Sequence, residues 1–371
     1  MGTRLLQSNV LLMRMNRLFA LLVAGALLWG APHGKKKKKS EEEQTQVLEL
    51  PPEPPSAVAA DTTRLAFQVS PLSAKGLLSQ QTRDALKALI RQHHHANIVK
   101  LRAFVAGTGD MRRVAMIVSE IFSDKKQPLP ALSVIQAGAL PLEGAQVVLE
   151  SMALEKKPVN PNGLAFISGQ AAGSVQESVK RLEEALGAAS LESSDMLQVT
   201  CFVSALDESR AGFGAAQTAF PQAALNLVQM QREPALPPAE CEGVARLRTP
   251  QSEPVRFIGA ADSPDGSQSV LVSAPKLVIS GTQLAFHDQA SDIRLAFERL
   301  SKAIDPLGAT LGDVAMTHLY SLSRSTAERV RGVRLEYYNK VHPPATTMLM
   351  FEGLPSLDAS FAVDVIAVPK K

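Results

Sequence analysis

From about residue 60 onward this chain states one pattern three times, so its fold must divide into three like units. A strand-like segment recurs as KLRAFV (100–105), QVTCFV (198–203) and MTHLYS (316–321), aligning Phe104 with Phe202 and Tyr320. An amphipathic helix precedes each. In the second copy Val175, Val179, Leu182 and Leu186 repeat at helical spacing, Ser174 and Glu177 make a capping box, and Gly187 suits the stop. In the third copy Ile293, Phe297, Leu300 and Ile304 line one face before Gly308; in the first, Leu86, Leu89 and Ile90 do so. Upstream of each helix a strand enters a turn: LAFQVSP (65–71), LAFISGQ (164–170) and LVISGTQ (277–283). Second helices are expected near 111–122, 211–220 and 326–340.

Two strands then close each copy. The first follows a Pro-Ala phrase, PALSVIQAGALP (130–141) and PPATTMLMFEGLP (343–355), eroded to AALNLVQMQREP (223–234) in the middle copy. The second is VVLESMA (147–153), ECEGVAR (240–246) and FAVDVIA (361–367). Leu132 to Glu150, Leu225 to Glu242 and Thr346 to Asp364 are separated by roughly 17–18 residues, as strand, turn and strand require. The order strand, helix, strand, helix, strand, strand, with helices gathered on one face of a mixed sheet, is α+β.

Composition narrows the function. At 45% hydrophobic residues and a net charge of +3 the chain is globular and carries no footprint for nucleic acid. Cys201 and Cys241 are its only cysteines, which excludes a disulfide framework and a zinc pattern. One disulfide between them is open; two buried free thiols is the reading taken here. Arg4, Arg14 and Arg17 precede the apolar run LFALLVAGALLW (18–29), so residues 1–31 are expected to be a signal peptide or N-terminal anchor. Export, to the periplasm or as a membrane-attached protein, follows from that reading; a mis-assigned start on a cytoplasmic protein competes with it. Residues 32–60, rich in Lys, Glu and Pro, read as a disordered linker.

The ISG turn, the VTxFV strand, the Pro-Ala phrase and the acidic closing strand, repeated in order over about residues 62–369, resemble the Rid superfamily, the reactive-intermediate deaminases also called YjgF or L-PSP proteins. The resemblance implies three chorismate-mutase-like domains, 61–157, 158–250 and 251–371. It implies a monomeric pseudo-trimer within one chain, the covalently linked counterpart of the family's homotrimer, with a central barrel, outer helices and a small-molecule site in each inter-domain cleft. In such deaminases the phrase carries an arginine that binds the substrate carboxylate through a planar fork. Here that position is Leu132, Leu225 and Thr346. The family's glutamate, which positions the hydrolytic water, matches Glu150, Glu242 and Asp364, and a carboxylate exposed on a polar strand face is the competing reading. Ser168, Gly169 and Gln170, with Ser280, Gly281 and Thr282, match the cleft-lining turn, although glycine there also serves a tight bend.

Other polar residues carry weaker signals. Arg232 is a candidate displaced anchor, and the triple histidine 93–95 is read as a polar helix end rather than a metal site. His318 is read as a satisfied structural histidine, Cys201 as packing, and His287 with Asp288 lack a ligand pattern. No cofactor motif is present. The expectation is a degenerate Rid-like protein that binds a small molecule or acts as a scaffold without catalysis. The alternative is an enamine or imine deaminase with an altered anchor.

Overall fold

A computed structural model describes residues 51–232, 239–259 and 266–370. The expected signal or anchor segment, and the linker as far as residue 50, lie outside the described residues.

The three copies trace the same path. The first comprises β2 (Leu65–Val69), α1 (Leu78–Gln92), β3 (Asn97–Ala106), α2 (Met111–Asp124), β4 (Ala131–Ala137) and β5 (Val147–Leu154). The second comprises β6 (Leu164–Ala172), α3 (Val175–Ala188), β7 (Met196–Val203), α4 (Leu206–Ala219), β8 (Ala224–Gln229) and β9 (Ala239–Arg246). In the third, β12 (Lys276–Ser280) and β13 (Gln283–Phe286) share the first strand's place. They are followed by α5 (Ala290–Ile304), β14 (Val314–Ser321), α6 (Arg324–Arg334), β15 (Ala345–Met350) and β16 (Ala359–Ala367). The sheet orders match: β2-β5-β3-β4, β6-β9-β7-β8 and β12-β16-β14-β15. In each, the helix-connected pair is parallel and the other pairings antiparallel, giving the mixed α+β sheets expected.

Several elements differ from the sequence reading. Residues 57–60, assigned to the linker, form β1 (Ala57–Asp61) together with Asp61, and this strand pairs with β12 of the third copy. A hairpin of β10 (Val255–Ile258) and β11 (Ser269–Val272), lying beyond the expected boundary at residue 250, joins the second copy's sheet through β6. Helix α6 ends at Arg334, short of 340, and α4 begins at Leu206 rather than 211. Gly187 lies inside α3, and Ser190 (φ 59°) takes the left-handed turn instead. Helix α5 itself ends at Ile304, and Gly308 (φ 83°) makes a left-handed cap on the short 3-10 turn, Asp305–Leu307, that follows it. The free-thiol reading is also corrected: Cys201 and Cys241, directly opposed on β7 and β9 with Cα atoms 4.0 Å apart, form a disulfide.

Strand alternation divides the side chains into two sets. On β3, Leu101, Ala103 and Val105 pack against α1 and α2, with Leu86, Leu89, Val114 and Ile117 in the same core. Equivalent cores lie under the helices of the second and third copies. The alternate residues point away from the helices and are shared. One apolar cluster takes Phe67 from the first copy, Phe166 from the second and Ile279 from the third. Another takes Phe104, Phe202 and Tyr320, the three residues aligned in the repeat. Neighbouring copies touch in cyclic order: β12 lies against β3 and β4, β6 against β14 and β15, and β2 against β7 and β8.

Candidate functional site

Between the two shared clusters each sheet contributes one row of polar side chains. Register places Arg102 opposite both Glu150 and Ser133, Thr200 opposite Glu242 and Asn226, and His318 opposite Asp364 and Thr347. The nine residues are the same three strand positions in three copies, and all are buried.

Arg102 is the hub. Its Nε donates to Glu150 Oε2 at 2.6 Å, and its Nη2 donates to Glu242 Oε1 of the second copy at 2.7 Å. Glu150 Oε1 also accepts from Thr200 Oγ1 at 2.6 Å and Asn226 Nδ2 at 2.7 Å. His318 lies between two carboxylates, with Nδ1 2.8 Å from Asp364 Oδ1 and Nε2 3.2 Å from Glu242 Oε1. Lys100, one step along β3, donates to Ser133 Oγ at 2.7 Å and to Asp364 Oδ2 at 3.2 Å. Three cations thus meet three carboxylates, and every ion pair except Arg102–Glu150 and His318–Asp364 joins different copies.

The protonation states follow from this geometry. Burial alone would raise the Glu242 carboxyl, but His318 and Arg102 override it and hold it at about 2. Burial likewise opposes ionisation of Asp364, yet Lys100 and His318 keep it well below the usual carboxylate range. Burial pushes the His318 imidazole down, while Glu242 and Asp364 lift it to about 8 despite the nearby Arg102. Burial lowers the Lys100 ammonium, with Asp364 opposing.

Aromatic side chains cap the layer. Phe104, Phe202 and Phe351 lie within 5.8–6.1 Å of one another by ring centroids, and the Arg102 guanidinium lies 5.2 Å from the Phe104 centroid. Such a contact adds modestly to the hold on the cation.

The structure brings Glu150, Glu242 and Asp364 into this one layer, while Leu132, Leu225 and Thr346 lie outside it. Leu132 and Leu225 pack half-buried against the helix-side cores of their copies. Thr346 is buried, and its hydroxyl donates to the Pro344 carbonyl at 3.1 Å. Of the cleft-turn residues, Ser280 Oγ accepts from the Val365 amide at 2.9 Å. Gly281 lies on the backbone of Leu132, and the Thr282 amide donates to the Leu132 carbonyl at 3.2 Å. In the second copy the Ser168 amide and hydroxyl both donate to the Gln268 carbonyl at 3.0 Å. Gly169 abuts the Glu240 side chain, and Gln170 Nε2 donates to the Ser168 carbonyl at 3.0 Å. Ser267, beside Gln268, donates its amide to the Pro344 carbonyl at 3.2 Å, so this segment occupies the junction with the third copy's phrase. Arg232 is exposed beyond the end of β8.

Sequence reasoning missed Lys100, Arg102, Ser133, Thr200, Asn226 and Thr347. The available signal was polar residues at period two in otherwise apolar strands. His93 is buried and within 2.8 Å of Ser151 Oγ; burial, then the neighbouring His94, lowers it to about 4, so it is neutral at pH 7. His94 and His95 are exposed. Among the described residues no group of His, Cys, Asp and Glu could hold a metal ion, and no helix is long and apolar enough to cross a membrane.

No protein-family model matches the sequence, and neither does any curated protein. Solved structures do. A YjgF-family protein from Neisseria meningitidis is 14% identical, with a TM-score of 0.25, over 32% of this chain and 96% of its own. A YjgF/YER057c/UK114-family protein from Mycobacterium tuberculosis is 24% identical, with a TM-score of 0.24, over 31% and 98%. A chorismatase is 10% identical, with a TM-score of 0.25, over 83% of this chain and 99% of its own. The chain is therefore similar to single YjgF/Rid structures over about a third of its length at a time.

Proposed function

We propose that this chain is a divergent Rid-like pseudo-trimer without catalytic activity: its three copies close around a central barrel, and the monomer serves as a small-molecule binder or scaffold. The commitment of all three acids to buried ion pairs carries this reading. A general base for imine hydrolysis works best with a pKa near the operating pH and needs access to water or substrate. Glu242, held at about 2, is a weak base, and Asp364 is weaker still. Glu150 spends its oxygens on Arg102, Thr200 and Asn226. The absence of a cation at Leu132, Leu225 and Thr346, together with the backbone contacts closing the junctions beside Leu132 and Pro344, supports the same reading.

An exported protein fits the disulfide, because such bonds persist in oxidising compartments and are rare in the cytosol. The test is ammonia release from freshly generated 2-aminoacrylate and other imino acids, beside an arginine-bearing Rid deaminase. The folded full chain is expected to show no turnover above the uncatalysed rate. Turnover abolished by Glu150→Gln or Glu242→Gln would establish the deaminase alternative instead.

A further inference from the structure

In two of the three copies the first strand carries an added strand on its outer edge, and in the first copy it does not. Strand β1 lies antiparallel on β12 and β11 lies antiparallel on β6, whereas β2 pairs with β5 alone. The three edges are equivalent. The Ser168 amide donates to the Gln268 carbonyl and the Gly281 amide to the Ser56 carbonyl, and Val69 holds the same place in the first copy. On β2 the Ser70 amide donates to the Leu149 carbonyl, so antiparallel alternation turns the backbone groups of Leu65, Phe67 and Val69 outward. The Asn160 side-chain amide takes the Leu65 carbonyl at 2.6 Å. Among the described residues no backbone group takes the Phe67 or Val69 edge.

The side chains show the same gap. The added strands set Val58 and Ala60, and Val270 and Val272, against the apolar cluster that holds Leu65 and Phe67. Leu197, on the strand that β2 lies against, and Met152, on the strand it pairs with, are half-buried, as is Leu154. The equivalents of Leu197, Val99 and Ala315, are buried, and so are those of Met152, Val244 and Ile366.

Charge sets a direction. A strand antiparallel to β2 ends beside Arg64, and the exposed Lys156 and Lys157 follow β5 at the same end. Strand β1 ends in this way, with Asp61 opposite Lys276, whose place Arg64 holds in the first copy. Of the acids nearby, Asp61 accepts from the Thr63 amide and hydroxyl, and Glu155 faces His93.

An unpaired edge beside apolar surface takes an extended segment through main-chain hydrogen bonds, with alternate side chains supplying selectivity. We propose that the outer edge of β2 binds an extended peptide segment of a partner protein, antiparallel, with small aliphatic side chains at alternate positions and an acid at its C-terminal end. The partner's main chain meets Phe67 and Val69, its apolar side chains cover Met152, Leu154 and Leu197, and its acid meets Arg64 and the two lysines. A second copy of this chain fits less well, because its own β2 is flanked in the same way by β7 and β8. The site uses none of the acids of the ion layer, so its test is separate from ammonia release.

Amide exchange on the full chain gives the first reading, with the Ser168 and Gly281 amides expected to be slow and the Val69 amide fast. The binding probe is a fluorescein-labelled peptide, Ser-Gln-Ser-Val-Leu-Val-Asp, which follows the β11 sequence and ends in an acid. It is expected to bind saturably and to slow exchange at Val69 but not at Ser168. Methylating the two valine amides, or replacing the aspartate with lysine, should each weaken binding at least about tenfold. Arg64→Glu should weaken the aspartate peptide and strengthen the lysine one. A Val69 amide as slow as Ser168 in the free chain, no binding, or equal binding of the methylated peptide would overturn the site. A dimer of the chain that itself protects Val69 would overturn the choice of partner in favour of a second copy.

Discussion

His318 has a carboxylate at each ring nitrogen, so only its doubly protonated form donates to both. The consequence is a pH dependence with a definite sign. The folded-state pKa, about 8, lies above the 6.5 of an unperturbed histidine. The stability it contributes is therefore complete below pH 6.5 and lost as pH rises through 8; the shift corresponds to about 2 kcal/mol. Glu242, held at about 2 against an ordinary 4.5, works in the opposite direction, adding stability above pH 4.5 that is lost as pH falls towards 2. Urea unfolding of the native chain should weaken between pH 6.5 and 8.5, and in His318→Gln that decline should flatten. An unchanged decline in the variant would remove His318 from this role. Residue-level reasoning from the sequence found the three acids but not their partners. The search was for sameness between copies, whereas Lys100 and Arg102 occur only in the first copy and His318 only in the third.

At the scale of elements the repeat was legible because helical spacing and strand alternation are local signals. The added strands were not: β1 and the β10–β11 hairpin lie outside the repeat and find their partners in another copy's sheet. The disulfide depends on the register between β7 and β9, which strand identity alone does not supply. It closes a loop of 40 residues, and chain entropy assigns such a closure about 4 kcal/mol. The Cys201→Ser, Cys241→Ser double variant should lose about 3–4 kcal/mol in equilibrium unfolding. A loss below about 1 kcal/mol would show that the bond constrains little. Gly281 tests the junction between the first and third copies. A Cβ there would lie 2.7 Å from the Leu132 carbonyl oxygen and 3.2 Å from its nitrogen, both backbone atoms. Gly281→Ala should therefore cost about 1–3 kcal/mol. Gly214→Ala, where a Cβ meets nothing within 4 Å, should be neutral or stabilising; equal effects at the two sites would contradict the close junction.

For the whole molecule, the departures from symmetry explain the assembly better than the symmetry does. In a trimer of identical chains every position in the layer would hold three copies of one residue. Here the first copy supplies a lysine and an arginine, the third a histidine, and each copy one acid, so the ion pairs form only when all three copies come together. Removing one partner leaves a buried charge unpaired, which typically costs about 3–5 kcal/mol. The most direct test is a double-mutant cycle across copies with Arg102→Met and Glu242→Gln, followed by urea unfolding. The account predicts that the two changes are coupled by at least about 1.5 kcal/mol, as close buried charge pairs are. Additivity within about 0.5 kcal/mol would mean that Arg102 and Glu242 act independently and that the shared ion layer does not hold the copies together.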